Sequence, residues 1–160
     1  SFFDGGGHIF ASSATVKKSD GNTVHADLLS VLETNLVSAK TAKDMMSWDV
    51  HTINENQTLM DASIFLEKIN CTGAPVLDSE ERLVGFLTLR DIMKGRKNSQ
   101  MHSPVKGYMA RNVVTVETDT TLKEIEKILY KNNIGHLPVF ENKKLMGIIT
   151  RTDILQYLNR

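Results

Sequence analysis

The stretch GFLTLRD at residues 85–91 is matched, 62 residues further on, by GIITRTD at residues 147–153. Both stretches carry the pattern G-x-x-T-x-x-D, in which a short apolar run ends at a threonine and an aspartate follows three positions later. That spacing predicts that the threonine caps the start of a helix and that the aspartate lies in its first turn. The chain is therefore expected to pass twice from a strand directly into a helix.

The duplication extends well beyond these two stretches. Residues 43–81 align with residues 106–144, and residues 83–92 align with residues 145–154 after the loss of one residue, with 16 identical pairs at 49 aligned positions. The lost residue falls in the polar stretch 78–82, which predicts a hairpin turn, and turns tolerate changes of length. An internal repeat of this size predicts two structurally equivalent units.

Each repeat is predicted to run in the order strand, helix, strand, strand, helix. In the first repeat the strands are expected at 50–53, 74–77 and 83–88, and the helices are expected to open at Thr58 and near Asp91. The equivalent strands of the second repeat are expected at 113–116, 137–140 and 145–150. Each sheet would leave one apolar face uncovered, so we expect an α/β (α+β) fold whose two sheets pack together with pseudo-two-fold symmetry.

Local signals refine this plan. Asn70 and Asn133 are placed where a left-handed residue would end the first helix of each repeat. Ser103 followed by Pro104 predicts the start of a short lead-in helix before the second repeat. Gly85 and Gly147 lie inside predicted strands, where glycine favours a close approach of neighbouring atoms; packing is the preferred explanation and a ligand the alternative.

Four segments follow from this organisation. The first repeat is expected to span residues 41–95, a polar linker residues 96–103, and the second repeat residues 104–160. Residues 1–40 lie outside the duplication. Because the chain begins at Ser1 without methionine, we interpret it as a piece of a longer protein.

Composition excludes several classes of function. Lysine plus arginine and aspartate plus glutamate both total 19, and this balance argues against direct nucleic-acid binding driven by a basic surface. The sequence has no apolar run long enough to span a membrane. The single cysteine, Cys71, rules out an internal disulfide and fits a cytoplasmic protein. No residue spacing suggests a metal site or a nucleophile–base pair.

Residues 43–158 resemble a tandem pair of CBS domains, the arrangement called a Bateman module. The resemblance rests on the duplicated G-x-x-T-x-x-D pattern and on the segments GAPV at 73–76 and GHLPV at 135–139. It implies a cleft that binds adenosine nucleotides or related adenosyl compounds, and regulation of an attached enzyme or transporter. AMP, ADP or ATP would be a regulatory ligand, and no cofactor would be required.

The segment DGGGHIFASSATVK at residues 4–17 resembles the GGGH motif of the domain that follows the DHH phosphoesterase domain. A helix is expected at 24–37. This order resembles bacterial multidomain proteins in which a tRNA nucleotidyltransferase or poly(A) polymerase domain follows the CBS pair. The catalytic residues would then lie in flanking domains, so the fragment itself is not expected to be an enzyme. Apart from its domain, the GGGH segment is expected to be a turn or a disordered arm.

The resemblance gives the threonine and the aspartate of each repeat a role in binding. The Thr150 hydroxyl would hold a phosphate at the helix N-terminus, and Asp153 would accept hydrogen bonds from the ribose hydroxyls. Thr88 and Asp91 would do the same in the first repeat. The alternative is that both pairs only cap helices, which needs no ligand.

Further candidates surround these pairs. The resemblance places adenine near the first-strand residues Thr52 and Thr115, although threonine is also an ordinary strand residue. His136 and Leu137 of the GHLPV segment would line the nucleotide pocket; the alternative for His136 is an ordinary loop residue.

Arginine residues distinguish the two repeats. Arg151 directly follows Thr150 and would reach a phosphate, whereas the first repeat has Leu89 at that position and Arg90 one place later. The alternative for each arginine is a solvated side chain. We therefore expect unequal sites, with the second repeat holding the better one.

Three functional hypotheses follow. The first is a regulatory module that binds an adenosine nucleotide. The second is a ligand-free dimerisation and spacer module, and the third is a fragment that completes a phosphoesterase or transferase active site. A homodimer is expected in which the helices at 59–69 and 122–129 provide the contact.

Overall fold

The computed structural model describes the backbone of residues 4–8 and 11–15 and, in full, residues 39–159. Residues 1–39 and 40–160 form separate units. In the first unit, strand β1 (Asp4–His8) pairs with strand β2 (Ala11–Thr15) in an antiparallel hairpin. The expectation of a turn or a disordered arm at the GGGH segment is therefore wrong, because this segment lies within β1. The helix expected at 24–37 lies outside the described residues.

The first repeat contains three strands and three helices. They are α1 (Ala42–Met45), β3 (Ile53–Asn54), α2 (Leu59–Lys68), β4 (Gly73–Leu77), β5 (Leu83–Thr88) and α3 (Leu89–Lys97). Strand β4 is central, parallel to β3 and antiparallel to β5.

The second repeat has the same architecture. Its elements are a 3₁₀ helix (Val105–Gly107), β6 (Val116–Glu117), α4 (Leu122–Asn132), β7 (His136–Glu141), β8 (Lys144–Thr150) and α5 (Arg151–Leu158). Strand β7 is central, parallel to β6 and antiparallel to β8. The mixed α/β fold of two small sheets with helices is confirmed.

The first strand of each repeat is shorter than the sequence predicts and begins later. β3 and β6 contain two residues each, whereas four-residue strands were expected at 50–53 and 113–116. The reason lies upstream, where the backbone of Ser47 pairs with Ile148 of β8. The chain therefore has to leave the sheet of the other repeat before it can enter its own, and the crossing uses the residues that were expected to extend the strand.

Helix boundaries follow the local signals closely. Asn70 and Asn133 adopt left-handed conformations, with φ of 53° and 49°, as predicted. Helices α3 and α5 begin directly after Thr88 and Thr150, two residues before the aspartates near which they were expected to start. The short lead-in helix is confirmed as a 3₁₀ turn, but it begins one residue later than predicted, with Pro104 and not Ser103 as its N-cap.

The two hydrophobic cores exchange their lead-in segments. Val105 and Met109, which precede the second repeat's first strand, are buried in the core of the first repeat. In the same way Ala42 and Met46, at the start of the first repeat, are buried in the core of the second. Each core is therefore completed by residues from the other repeat, so neither repeat carries all of its own core.

Backbone hydrogen bonds fix the same exchange. The amide of Leu59 at the start of α2 donates to the carbonyl of Ser103 over 3.0 Å, and the amide of Leu122 at the start of α4 donates to the carbonyl of Lys40 over 2.8 Å. Residues 96–103, expected as a linker, begin inside α3 and end by satisfying the first amides of α2. This segment is thus an integral part of the first repeat's packing.

The exchange also explains the strand glycines. A Cβ atom at Gly85 would overlap the Sδ atom of Met109, and a Cβ atom at Gly147 would lie 3.0 Å from the carbonyl oxygen of Ser47 and against Met46. The packing explanation for both glycines is confirmed. Glycine is needed where a lead-in segment crosses the strand of the opposite repeat.

The sheets meet through side chains of β5, β7 and the loop before β4. The rings of Phe86 and His136 lie 5.1 Å apart at an interplanar angle of 34°. The Thr72 hydroxyl lies 3.0 Å from Nε2 of His136. No helix in the described part of the chain is long and apolar enough to cross a membrane.

Candidate functional site

A cavity of about 590 Å³ lies between the two repeats, and we call it the main cavity. One wall is the N-terminus of α3 with Thr88 and Asp91. The lining also includes residues 133–136, between α4 and β7, and residues 112–114, which lead into β6. The main cavity thus combines the threonine and aspartate of the first repeat with the GHLPV segment of the second.

Thr88 and Asp91 form a complete capping box at the start of α3. Oδ2 of Asp91 accepts hydrogen bonds from the Thr88 amide at 3.1 Å and the Thr88 hydroxyl at 2.6 Å. The second carboxylate oxygen, Oδ1, takes no part in the box and instead lies 3.0 Å from Nζ of Lys94. The capping role and a binding role therefore use different oxygen atoms of the same carboxylate.

Thr150 and Asp153 repeat this geometry elsewhere. Oδ2 of Asp153 accepts hydrogen bonds from the Thr150 amide at 2.7 Å and the Thr150 hydroxyl at 2.6 Å. Its Oδ1 lies 3.4 Å from the Ser47 hydroxyl, in a second cavity of about 160 Å³ whose lining includes Asp44 and Gln156. The structure therefore separates the two threonine–aspartate pairs into two cavities.

Positive charge is concentrated at the main cavity, whose lining includes Arg90, Lys94 and Arg151. Arg151 follows Thr150 in the chain, yet its guanidinium donates to the carbonyl of Ile134 over 3.1 Å and lies beside the main cavity. The aligned positions of the other repeat hold uncharged residues. Thr152, Gln156 and Leu89 occupy them. The second cavity, as far as its lining is described, contains no lysine or arginine.

His136 lies where the two repeats meet. Its imidazole packs against Phe86 and its Nε2 atom contacts the Thr72 hydroxyl. Burial lowers the pKa of His136 below its ordinary value; Asp153 opposes this shift, and the positive charge of Arg151 adds to it. The imidazole is therefore neutral at neutral pH, with one ring nitrogen able to accept a hydrogen bond.

The structure places the remaining expected residues elsewhere. Leu137 is fully buried in the core of the second repeat, because successive strand residues point to opposite faces and its neighbour His136 faces the main cavity. Leu137 is therefore a core residue and not a cavity residue. Thr52 is half-buried just before β3 and Thr115 is exposed just before β6, and neither lines the two described cavities.

Sequence reasoning missed several residues of the main cavity. Lys94 had a usable signal, because it lies three residues after Asp91 on a helix and such pairs are neighbours. Thr72 and Phe86 had none, since they join the site only through the packing of one repeat on the other. Val114 was missed because the first strand starts later than predicted.

Comparison with known protein families matches both repeats to the same kind of domain. Residues 42–98 and 105–160 match the CBS domain. An A-adding tRNA nucleotidyltransferase from Geobacter sulfurreducens is 32% identical over 98% of this chain, and the chain spans 18% of that relative's length.

Two solved structures share the fold and contain adenosine compounds. The CBS domain pair of protein MJ0100, in complex with 5′-methylthioadenosine and S-adenosyl-L-methionine, is similar with a TM-score of 0.70 and 29% identity over 76% of this chain and 97% of its own. CBSX2 in complex with AMP has a TM-score of 0.68 and 25% identity over 75% of this chain and 96% of its own. With both repeats matched in sequence and fold, the chain belongs to the CBS domain family and contains a tandem pair of these domains.

Proposed function

We propose that the main cavity binds a phosphorylated adenosine nucleotide, AMP, ADP or ATP, and that this binding regulates enzyme domains attached to the pair. One observation carries the proposal. Three cationic side chains, Arg90, Lys94 and Arg151, line the same cavity as the Asp91 carboxylate. Cations suit a phosphate, and a carboxylate oxygen suits the hydroxyls of a ribose.

The proposed roles follow from position. Oδ1 of Asp91 accepts hydrogen bonds from the ribose, while Oδ2 stays in the capping box. The phosphate lies near the start of α3, where the positive end of the helix dipole and the Arg151 guanidinium favour an anion. Adenine occupies the apolar part of the cavity beside Val114 and Ile134. Solved relatives that bind AMP and 5′-methylthioadenosine support an adenosyl ligand.

This proposal makes the Asp91 cavity the stronger site, whereas the sequence favoured the second repeat. The pocket beside Asp153 is smaller, and a second carboxylate, that of Asp44, shares its lining. An anionic ligand is less favourable there than in the main cavity. We therefore assign Thr150 and Asp153 to a second, weaker site.

Regulation arises because both repeats form the walls of the main cavity. A ligand that fits one relative arrangement of the repeats increases the population of that arrangement. The similarity to the A-adding tRNA nucleotidyltransferase covers nearly the whole chain. We therefore propose that the pair is a cytoplasmic, non-catalytic segment of an RNA-processing nucleotidyltransferase, and that residues 1–40 come from its DHH-associated domain.

We propose a homodimer through α3 and α5. Met93 and Leu155 occupy equivalent positions of these helices and are 58% and 61% exposed. Leu89 and Leu158 are also exposed on the same two helices. This choice differs from α2 and α4, the helices favoured by the sequence. Although α2 exposes Met60 and Ile64, the one exposed large hydrophobic of α4 among the described residues is Tyr130, so these two helices do not present matched apolar faces.

The second candidate function is the ligand-free spacer. One observation favours it, because both capping boxes are complete without any ligand. Calorimetric titration of the chain with AMP, ADP, ATP and GMP distinguishes the two. Binding of an adenosine nucleotide, lost in Asp91→Asn, supports the regulatory site. If no nucleotide binds at millimolar concentration, the spacer is the better account.

A further inference from the structure

The ion pair between Lys94 and Asp91 occupies the carboxylate oxygen that the proposed ribose contact needs. Nζ of Lys94 lies 3.0 Å from Oδ1 of Asp91. The carboxylate side chain is only 13% exposed, whereas the lysine side chain is 63% exposed. The carboxylate is therefore held in place by its capping box, and the lysine is the partner that is free to move.

Oδ1 has two acceptor sites and Oδ2 is already used twice by the capping box, so a ligand whose two ribose hydroxyls both donate to Oδ1 displaces the ammonium group. An uncharged nucleoside offers the displaced lysine nothing in return, so its binding includes the loss of the ion pair. A ligand with a phosphate offers a new anionic partner within the same cavity, where Lys94 already lies among the lining residues. The lysine then changes partner and loses no ion pair.

We propose that Lys94 is a specificity-determining residue, which makes the main cavity selective for phosphorylated adenosine ligands over uncharged adenosyl compounds. This inference rests on the proposed function of that cavity. The lysine disfavours a bare nucleoside by competing for Asp91, and favours a nucleotide by binding its phosphate. A simple phosphate-binding lysine would have only the second effect.

The second repeat provides an internal comparison. Gln156 aligns with Lys94, and the Asp153 carboxylate it accompanies has a serine hydroxyl near its Oδ1 where Asp91 has an ammonium group. A neutral hydroxyl competes weakly with a ribose for a carboxylate. Selection by charge is therefore built into one of the two threonine–aspartate sites. Lys94→Gln gives the main cavity the residue that the second site already has.

The test is calorimetric titration of the 160-residue chain with AMP and with adenosine, which differ only in the phosphate. We expect Lys94→Gln to bind AMP about 10-fold more weakly, because a charge-assisted hydrogen bond is lost. We expect it to bind adenosine about 3-fold more tightly, because the ion pair no longer competes. Lys97→Gln makes the same change of charge at an exposed position outside the cavity lining, and both affinities should stay within about 2-fold of the original chain.

The opposite signs of the two changes decide the outcome. If AMP binding weakens while adenosine binding is unchanged or also weakens, the competition for Asp91 is refuted and the nucleotide site stands. If Lys97→Gln reproduces both changes, the effect comes from overall charge and the inference is wrong. If neither ligand binds the unaltered chain, the proposed function fails and the inference fails with it.

Discussion

Nε2 of His136 in the second repeat lies 3.0 Å from the hydroxyl oxygen of Thr72 in the first, and this contact has no symmetric counterpart. The positions aligned with His136 and Thr72 are Gly73 and Gly135, which have no side chains to repeat it. The pair of repeats is thus joined asymmetrically at its centre. The same imidazole lines the main cavity, so His136 belongs both to the contact between the repeats and to the proposed binding site.

His136 predicts how stability depends on pH. Because burial lowers the pKa of the folded-state imidazole, the unfolded chain binds more protons as pH falls through about 6.5, and the folded chain loses stability. We expect urea unfolding at pH 5.5 to give a smaller free energy of unfolding than at pH 7.5. The His136→Gln variant should flatten that dependence.

The carboxyl groups with shifted pKa values titrate below the pH range of 5.5 to 7.5 used in this comparison. The pKa values of Asp44, Asp78 and Glu124 are lowered by hydrogen bonds from Thr41, Arg82 and Thr121, so these groups act at more acidic pH. An equal pH dependence in the original chain and in His136→Gln would show that the imidazole does not cause it.

Asp91→Asn and Asp153→Asn should have similar effects on stability but different effects on binding. Each variant weakens a capping box and removes a charge near a helix N-terminus, at about 0.3–1 kcal/mol of stability. At the main cavity the lost carboxylate also weakens AMP binding about 10- to 100-fold. Calorimetry with melting temperatures recorded on both ligand-free variants checks this. A larger loss of affinity in Asp153→Asn would assign the stronger site to the second repeat.

Ligand binding should also stabilise the fold. AMP at about 100 times its dissociation constant should contribute roughly 2.7 kcal/mol, or on the order of 5–10 °C in melting temperature. GMP at the same concentration provides the control for base recognition. A shift of equal size with both nucleotides would show that the cavity recognises the phosphate and the ribose without the base.

Gly85→Ala should destabilise the pair, because the added methyl group would overlap Met109 and approach the carbonyl oxygen of Ala110 to 2.9 Å. Overpacking of this kind typically costs about 1–3 kcal/mol. Gly107→Ala is the matched control, since a Cβ atom there meets nothing within 4 Å. Chemical denaturation of both variants measures the difference. Equal stability of the two would mean that the lead-in segment moves aside easily.

Met93→Glu should dissociate the proposed homodimer, because it places a charge on the exposed apolar face of α3. Tyr130→Glu makes a comparable change on α4, where the side chain is 89% exposed. Light scattering at high micromolar concentration should then give a monomer for Met93→Glu and a dimer for Tyr130→Glu. The reverse result would move the interface to α4, as the sequence favoured.

The order of elements was predictable because their signals are local. Thr58 and Thr121 mark helix starts through their hydroxyl groups, and Asn70 and Asn133 mark helix ends through a left-handed backbone, and all four act within one turn of helix. Because the two repeats align, the elements predicted for one repeat could be assigned to the other. The strands that end at Thr88 and Thr150 were equally predictable from their apolar residues.

The cavity composition was less predictable because it depends on which repeat faces which. Arg151 is adjacent to Thr150 in sequence, but its side chain serves the cavity of Asp91. Leu137 shares a motif with His136 but lies on the opposite face of the strand. The alternation of strand residues explains Leu137, but the position of Arg151 is not contained in residue spacing, since it arises from the contact between the two repeats.

The crossed lead-in segments determine when each hydrophobic core can form during synthesis on the ribosome. Synthesis proceeds from the N-terminus, so Ala42 and Met46 are made at the start of the first repeat, yet their partners Leu137 and Ile149 are made only in the last two strands of the second. The core of the first repeat also cannot be completed until Met109 has been synthesised. A nascent chain therefore carries these apolar residues without their partners until both repeats have been made. The first repeat does not become a finished unit ahead of the second, as successive domains ordinarily do.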